Sequence, residues 1–295
     1  MAINVGKWPS IVQKDLSIIF MDQYRDYPSM LGYLYRYKDA EQGTEYDLET
    51  GDTGQVSEFN GEIPYDDIQE GYKKAVSERE YAYGIKITRR LLRNDLYGVI
   101  QDKTRSLADA FRALRETRGA YAFNNAFGTF TTADDLSLCN SAHTSAVGGS
   151  NQANSGSLAL SAPNVFATHL LMKKIKTNRD NIMVNIPDMI VAPMDLEEKV
   201  YEILKTAGKV DTSVNNANFL KGRYKAIIWD NFLTSSSNWF MVNSAMMKQK
   251  LIWREWEPTS FFRTGEFDTL TLKMAGYTSF EISSPDWRWV YGNNV

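Results

Sequence analysis

The sequence has few of the residues that most often carry covalent and metal chemistry. It contains one cysteine, Cys139, and two histidines among 295 residues. A single cysteine excludes an intrachain disulfide and fits a reducing compartment. A zinc site takes three or four ligands, so this supply of cysteine and histidine offers no recognisable zinc pattern.

Long apolar runs and a strong excess of charge are also missing. The longest apolar stretch, residues 182–193, is interrupted by Asn185 and Asp188, so nothing approaches the ~20 residues that cross a bilayer. The start lacks the layout of a signal peptide, and a net charge of −3 gives no basic field for DNA or anionic lipid. With 43% hydrophobic and 23% charged residues, the composition is that of a soluble folded protein with one large domain or two smaller ones.

Residues 94–127 are predicted to form one long helix of roughly 45–50 Å. We expect Asn94 or Asp95 to cap its start, Gly128 to end it, and the helix to bend near Gly119. Apolar residues at spacings of three, four or seven define one face: Leu96, Ile100, Leu107, Phe111, Leu114 and Tyr121. Polar residues define the opposite face: Gln101, Arg105, Asp109, Arg112 and Glu116.

Residues 1–40 are interpreted as an N-terminal arm. A helix is predicted over 11–24, with Val12, Leu16, Ile19 and Phe20 along one side. Basic residues then alternate with Tyr24, Tyr27, Tyr33, Tyr35 and Tyr37. Such a stretch can stack on nucleic-acid bases, but no binding motif accompanies it, so packing on a neighbouring surface is favoured.

Residues 41–88 are predicted to form an extended two-stranded loop. Residues 41–67 are acidic and too poor in apolar side chains for a core. The chain is expected to leave the body near Glu45 and to return through 76–87, where Tyr81, Tyr83, Ile85 and Ile87 share one face. An isolated two-stranded ribbon is marginal in water, so we expect a partner subunit to support it, because its own chain offers little. The following Arg89, Arg90 and Arg93 are interpreted as a solvated or salt-bridged hinge, with phosphate binding as the less favoured alternative.

Residues 128–161 are predicted to be a long loop that contains Cys139 and His143. As a nucleophile–base pair these two lack a third orienting group at a recognisable spacing. A helix is predicted over 161–177, with an apolar side of Val165, Leu170 or Leu171, and Ile175, and with His169 as a packing residue.

Residues 182–264 are predicted to form a compact α/β unit. A strand at 189–192 leads to a helix that Asp195 opens with Glu198 in a capping-box spacing and that Gly208 closes. Further strands are predicted at 226–229 and 239–242, and 249–256 is interpreted as a semi-exposed strand or turn. The alternating strand at 269–277 is expected to return beside the long helix, which makes the middle unit an insertion. Inward-facing residues of its helix are Leu196, Val200, Ile203 and Leu204.

This order of parts resembles the major capsid proteins of tailed bacteriophages, which have the Hong Kong phage capsid fold, and within them the Mu-like major head subunit. Residues 138–151 (LCNSAHTSAVGGSN) with 158–160 resemble the segment after the spine helix. Residues 187–204 (PDMIVAPMDLEEKVYEIL) resemble the strand-to-helix entry of the axial domain, and 218–240 its later strands.

The resemblance implies an α+β fold in five parts. These are an arm (1–40), an extended loop (41–88), a peripheral domain with the spine helix (89–181), an inserted axial domain (182–264) and the peripheral return strand (265–295). It implies a shell protein that is not an enzyme and has no catalytic, cofactor or metal residues. Hexamers and pentamers would form an icosahedral shell around double-stranded DNA.

The resemblance also implies partners and a place. Portal and scaffolding proteins, a possible decoration protein and non-specifically contacted DNA are expected, with no membrane; the protein would be made in the host bacterial cytoplasm and reside in the virion capsid. Scaffold would be a separate protein, or the sequence is already mature. Lys73 and Lys74 lie on the extended loop, but no matching Asn or Glu is recognisable, so an isopeptide crosslink is not predicted.

Three alternatives stay open at this point. The nearest is an encapsulin-type nanocompartment shell, which has the same fold but encloses cargo enzymes. A tail or baseplate protein would form tubes or rings. A soluble hydrolase would use Cys139 and His143.

Overall fold

The computed structural model describes residues 10–26, 29–50, 69–94, 98–208 and 217–295, together with 52, 54, 56, 58–61, 63, 65 and 67. The helices are α1 Ser10–Arg25, α2 Leu31–Leu34, α3 Arg89–Arg93, α4 Val99–Asn124, α5 Ala162–Lys173, α6 Glu197–Lys205 and α7 Ser244–Lys250. The strands are β1 Arg36–Asp39, β2 Thr44–Thr50, β3 Glu70–Ser77, β4 Glu80–Thr88, β5 Ser155–Gly156, β6 Met189–Ala192, β7 Lys225–Ile228, β8 Trp239–Val242, β9 Ile252–Glu266, β10 Thr271–Ser283 and β11 Val290–Asn293. Among these helices, none combines the length and apolar character needed to span a bilayer.

Two sheets and one ribbon organise the strands, and with the helices they confirm a mixed α+β class. The four-stranded sheet has the order β1-β9-β10-β4 and the five-stranded sheet β5-β11-β8-β6-β7. Among the strands that the structure describes, β2 pairs only with β3. The long β9–β10 hairpin is antiparallel, and β10 pairs with β4 from Thr271↔Thr88 to Ser279↔Glu80. β9 extends to Glu266, and β11, near the end of the chain, pairs with β8.

The predicted long helix is present as α4, with 26 residues and a length of about 40 Å. It starts later than predicted, because Gly98 adopts a left-handed conformation with φ 70° and separates α4 from α3. Asn94 ends α3 and does not cap α4. The other proposed cap, Asp95, lies outside the described residues, as do Leu96, Tyr27 and the side chain of Val12. The helix ends at Asn124, ahead of Gly128.

The buried face of α4 follows the predicted stripe. Ile100, Leu107 and Phe111 are buried, and Phe20 of α1 packs on Leu107 and Phe111. The helix continues through Gly119 without a break. That glycine permits close packing, because a Cβ there would lie 2.0 Å from Leu31 Cδ2.

Glu116 was predicted on the polar face, and this is wrong. Its side chain is buried, where Oε2 accepts from Trp229 Nε1 at 3.1 Å and Oε1 accepts from Ser29 Oγ at 2.5 Å. Burial raises the pKa of this carboxyl group in spite of both donors. Helical periodicity does not reveal that α2 and the β7 region cover the second side of α4.

The main core lies where α4 meets the five-stranded sheet. Phe123 packs edge-on against Trp229, Phe240 and Trp289, with ring centroids 5.2–6.1 Å apart. The predicted strand at 189–192 is confirmed as β6 and that at 239–242 as β8, both wholly buried. β10 returns beside α4 as predicted: Gly276 lies so close that a Cβ would sit 2.4 Å from the Phe111 ring.

Three other local predictions need correction. Residues 249–256 are the end of α7 and the start of β9, and Trp253 is fully buried against Phe280, with centroids 4.4 Å apart. Leu170 and Leu171 are exposed, because α5 buries Val165, Thr168, His169 and Met172 instead. A 3-10 turn at Met194–Leu196 precedes α6, which begins without a side-chain cap and ends at Lys205, ahead of Gly208.

The tyrosines of the arm divide between core and surface. Tyr35 is buried and donates its hydroxyl hydrogen to the Gly119 carbonyl at 2.6 Å, and Tyr24 Oη accepts from Thr259 Oγ1 at 2.9 Å. Tyr33 and Tyr37 remain exposed. The surface on which Tyr24 and Tyr35 pack therefore belongs to their own chain.

Candidate functional site: the ribbon and its anchors

The predicted two-stranded excursion is present as an antiparallel ribbon of β2 and β3, paired from Thr44↔Ser77 to Thr50↔Glu70. We call these two strands the ribbon base and the described residues between 52 and 67 the ribbon tip. β4, which was predicted as the end of the same excursion, belongs to the four-stranded sheet.

The first anchor of the ribbon base is Arg254 of β9, whose side chain is 2% exposed. Its guanidinium donates to both oxygens of the buried Asp47, at 3.2 and 2.5 Å, and to Glu45 Oε2 at 3.1 Å. Burial opposes this charge, but the hydrogen bonds and charges of Asp47 and Glu45 raise the pKa of Arg254. When a planar guanidinium donates two hydrogen bonds to one carboxylate, the distance and the relative orientation of the two groups are both fixed.

The second anchor is Arg288, which lies just before β11 and is also buried. Its Nη1 donates to Glu49 Oε1 at 3.1 Å and to Asp286 Oδ1 at 3.0 Å, and its Nε donates to the Lys176 carbonyl at 3.2 Å. Burial raises the pKa of Glu49 although Arg288 favours its charged form. This second ion pair ties the far end of β2 to the body.

Polar contacts hold the β3 side and the root of the tip. Lys74 Nζ donates to Thr131 Oγ1 at 2.7 Å and to the Thr131 carbonyl, and burial lowers the pKa of this lysine. Tyr72 Oη lies 2.8 Å from Thr144 Oγ1. The backbone N–H of Asp52 donates to Asn178 Oδ1 at 3.2 Å.

The expectation that its own chain offers the ribbon little is therefore wrong for the base. Ion pairs and hydrogen bonds hold it to the body, and Val76 is the one apolar side chain of the base that the structure describes as buried. Polar partners of this kind leave no periodic signal in sequence. Of the two lysines considered for a crosslink, Lys74 is engaged by Thr131, and Lys73 Nζ lies 3.9 Å above the ring of Tyr46.

The ribbon tip differs from its base in exposing large apolar side chains. The exposed fractions are 101% for Val56, 68% for Phe59, 60% for Ile63 and 91% for Tyr65. Clustered exposed apolar residues mark interaction surfaces more often than scattered single ones do. The tip is thus available for contact with another molecule.

The candidate catalytic pair does not form an activated nucleophile. Cys139 is buried, and burial raises the pKa of its thiol, which disfavours the nucleophilic thiolate. His143 Nδ1 lies 2.6 Å from Asp134 Oδ2, its Nε2 lies 3.1 Å from Asn154 Oδ1, and its ring stacks on Trp287. His143 therefore holds the 128–161 loop to the body.

The other polar residues considered for a functional role make contacts that stabilise the fold. His169 packs as predicted, with Arg223 Nη2 at 3.0 Å and Tyr224 Oη at 2.9 Å, and burial together with Arg223 and Lys173 lowers its pKa to about 4. Across the part of the chain that the structure describes, no group of three or more His, Cys, Asp or Glu side chains could hold a metal ion.

Comparison with known families and structures gives consistent results. A family model for "Phage capsid protein" matches residues 71–293. The mature capsid of bacteriophage PhiM1 matches with a TM-score of 0.60 and 10% identity over 91% of this chain and 87% of that chain. The capsid of cyanophage P-SCSP1u gives 0.59 and 11% over 90% and 88%.

A third solved structure, a virus-like particle from Pyrococcus furiosus, gives a TM-score of 0.57 and 10% identity over 95% of this chain and 98% of that chain. No curated protein matches this sequence. At such low identities, the structural matches establish a shared fold.

Proposed function

The chain belongs to the phage capsid protein family, since that family's model spans residues 71–293, and on this premise we propose that its copies form hexamers and pentamers in an icosahedral shell around double-stranded DNA. Its function is that of a major capsid protein, a structural unit of the shell. The family match favours this function over an encapsulin-type compartment.

The observation that carries the assembly proposal is the contrast within the ribbon. Buried arginines fix its base, while Val56, Phe59 and Tyr65 at its tip remain exposed. A monomer gains no stability from exposing apolar side chains to water. A neighbouring subunit that covers the tip would remove this surface from solvent.

The finer proposals follow the resemblance to the Mu-like major head subunit. Residues 182–264 would act as the axial domain at the centre of each capsomer, and 89–181 with 265–295 as the peripheral domain that meets neighbours at threefold positions. The arm would be 1–40 and the extended loop 41–88. No catalytic activity, cofactor or crosslink is proposed.

The proposed surroundings are those of a tailed-phage head. Portal and scaffolding proteins, and a decoration protein where one exists, would bind the shell. Packaged DNA would be contacted without sequence preference, which is compatible with a net charge of −3. The protein would be made in the host cytoplasm and reside in the virion capsid.

Electron microscopy of the purified, concentrated protein tests this proposal. We expect closed shells of uniform diameter, and a chain that stays monomeric at every concentration would contradict it. Tubes or rings would indicate a tail protein, and shells filled with protein cargo an encapsulin. Cys139→Ala should leave assembly intact, whereas it would abolish the activity of a hydrolase that used this thiol.

A further inference from the structure

Glu116 lies where three parts of the molecule meet: helix α2, helix α4 and the residues after β7. Its side chain is only 4% exposed. Ser29, two residues before α2, donates its hydroxyl hydrogen to Oε1 at 2.5 Å and accepts from the backbone N–H of Leu31 at 3.2 Å. Trp229, directly after β7, donates from Nε1 to Oε2 at 3.1 Å. One carboxyl group therefore connects both neighbouring parts to α4.

Helix α2 depends on its contacts with α4. It has only four residues, and an isolated helix of this length is not stable in water. Leu31, Leu34 and Tyr35 are buried. Leu31 lies against Gly119, about one turn along α4 from Glu116, and the Tyr35 hydroxyl donates to the Gly119 carbonyl at 2.6 Å. Weakening of this small contact surface would release α2 before the rest of the fold opens.

Both protonation forms of Glu116 can keep the contacts of its carboxyl group. In the ionised form, the Ser29 hydroxyl and the Trp229 indole each donate to one oxygen. In the protonated form, the carboxyl O–H can donate to Ser29 Oγ, because a hydroxyl also accepts, while the other oxygen still accepts from Trp229. The two forms therefore differ mainly in that the ionised one places a negative charge in a buried site, which is unfavourable.

The surroundings of Glu116 act on its proton in a consistent way. Burial raises the pKa of this carboxyl group, although hydrogen bonds from Ser29, Trp229 and the Met30 backbone favour the ionised form. The positive charge of Arg115, the preceding residue of α4, also favours the ionised form. The burial of the junction is therefore what makes Glu116 bind its proton more tightly than an exposed glutamate does.

Two further titratable groups contact the α2 region. Burial raises the pKa of Tyr35 well above its ordinary value, so its hydroxyl stays uncharged where carboxyl groups titrate. Lys248 of α7 donates from Nζ to the carbonyls of Gly32 and Tyr35, and burial lowers its pKa. A test of Glu116 must therefore separate its effect from that of Lys248.

We propose that Glu116 is a proton-controlled latch, which holds α2 on α4 more tightly when it is protonated and less tightly when it is ionised. Release of α2 opens the carboxyl group to water, so docking of α2 and binding of the proton favour each other. The contribution of Glu116 to docking is fully present below the ordinary glutamate pKa and is lost as pH rises through the raised value. The latch acts within one subunit and does not depend on the proposed shell.

Hydrogen exchange at the backbone amides of residues 33–35 measures the latch, because these amides donate to the carbonyls of Met30 and Leu31. Wild type is compared with Glu116→Gln in the same state of assembly, with rates corrected for intrinsic exchange. Between about pH 4 and pH 7 the wild-type protection factor should fall at least about threefold, since one pKa unit corresponds to a tenfold change in the equilibrium. In Glu116→Gln it should change less than about 1.5-fold, because the amide keeps the same contacts and does not titrate.

A second variant should change the pH profile in the opposite direction. Ser29→Ala removes a donor that favours the ionised carboxyl group, so the pKa of Glu116 should rise further and protection should fall more steeply than in wild type. The control is Asp102→Asn, which removes an exposed acid of α4 that pairs with Arg105 at 3.0 Å. This control should keep the wild-type profile. If Glu116→Gln does not fold, Ser29→Ala and the control decide the outcome.

Several results would overturn the latch. Protection in wild type that stays constant across the range would remove it. A folded Glu116→Gln variant with the wild-type profile would assign the dependence to another group, such as Lys248. A flatter profile for Ser29→Ala would show that its hydroxyl does not act on the carboxyl group. A chain that never assembles would contradict the proposed shell and leave the exchange result unaffected, so the two failures are distinguishable.

Discussion

The base and the tip of the ribbon belong to one hairpin, but they differ in how their carboxylates are placed. In the base, carboxylates of β2 meet buried cations of the body, above all Asp47 with Arg254 and Glu49 with Arg288. In the tip, carboxylates and large apolar side chains are exposed together. This difference supports the proposal that each chain fixes the base of its own ribbon, while a second copy covers the tip.

The largest effect is expected from breaking the first anchor. Arg254→Met would leave Asp47 buried without its partner, and removal of one member of a buried ion pair costs about 3–5 kcal/mol. Urea unfolding measures the loss. The control is Lys38→Met, which removes the half-exposed partner of Glu45 and should cost less than about 1 kcal/mol. Equal losses in the two variants would show that the base is not held as described.

A smaller effect is expected on the β3 side of the base, where adjacent lysines form a matched pair. Lys74→Met removes the hydrogen bonds to Thr131 and should cost about 1–3 kcal/mol, because a partly buried acceptor is left unpaired. Lys73→Met removes a cation–π contact at an exposed site and should cost about 0.5–1 kcal/mol. The reverse order of stabilities, again from urea unfolding, would contradict the assigned roles.

The second anchor should give stability a dependence on pH. Because burial raises the pKa of Glu49, the folded protein binds this proton more tightly than the unfolded chain does. The contribution of Glu49 to stability therefore falls as pH rises from the ordinary glutamate pKa through the raised value. Glu49→Gln removes that contribution, so the difference between wild type and variant should change across this window. A difference that stays constant from pH 4 to pH 7 would show that Glu49 is not perturbed.

The smallest effect on stability is expected at the tip. Phe59→Ser with Tyr65→Ser removes exposed side chains that contribute little to the isolated fold, so the free energy of unfolding should stay within about 0.5 kcal/mol. The same variant should assemble at a higher protein concentration than wild type. A large loss of stability would mean that the tip packs on its own body.

Much of the fold could be predicted because regular elements carry periodic signals. The stripe of Ile100, Leu107 and Phe111 identified α4, and the apolar run at 239–242 identified β8. Predictions failed where burial depends on a distant partner. In the sequence Glu116 has the spacing of a surface residue, and only the fold brings Trp229 next to it. Likewise, which side of α5 is buried depends on the sheet that the helix packs against.

In the candidate site, too, one part could be predicted from the sequence and another could not. The acidic, core-poor composition of residues 41–67 predicted a surface completed by another copy, and the tip is exposed. The anchors could not be predicted, because Arg254 lies 209 residues from Glu45 and no local pattern links them. A buried arginine and an exposed one look the same in a sequence.

The most direct test of this account is removal of residues 53–66, which shortens the tip but keeps Glu49, Arg254 and Arg288. Sedimentation velocity combined with electron microscopy should find a folded subunit, with the unfolding midpoint of wild type, that forms no closed shells. Closed shells of wild-type size from this variant would contradict the claim that the tip completes the contact between copies.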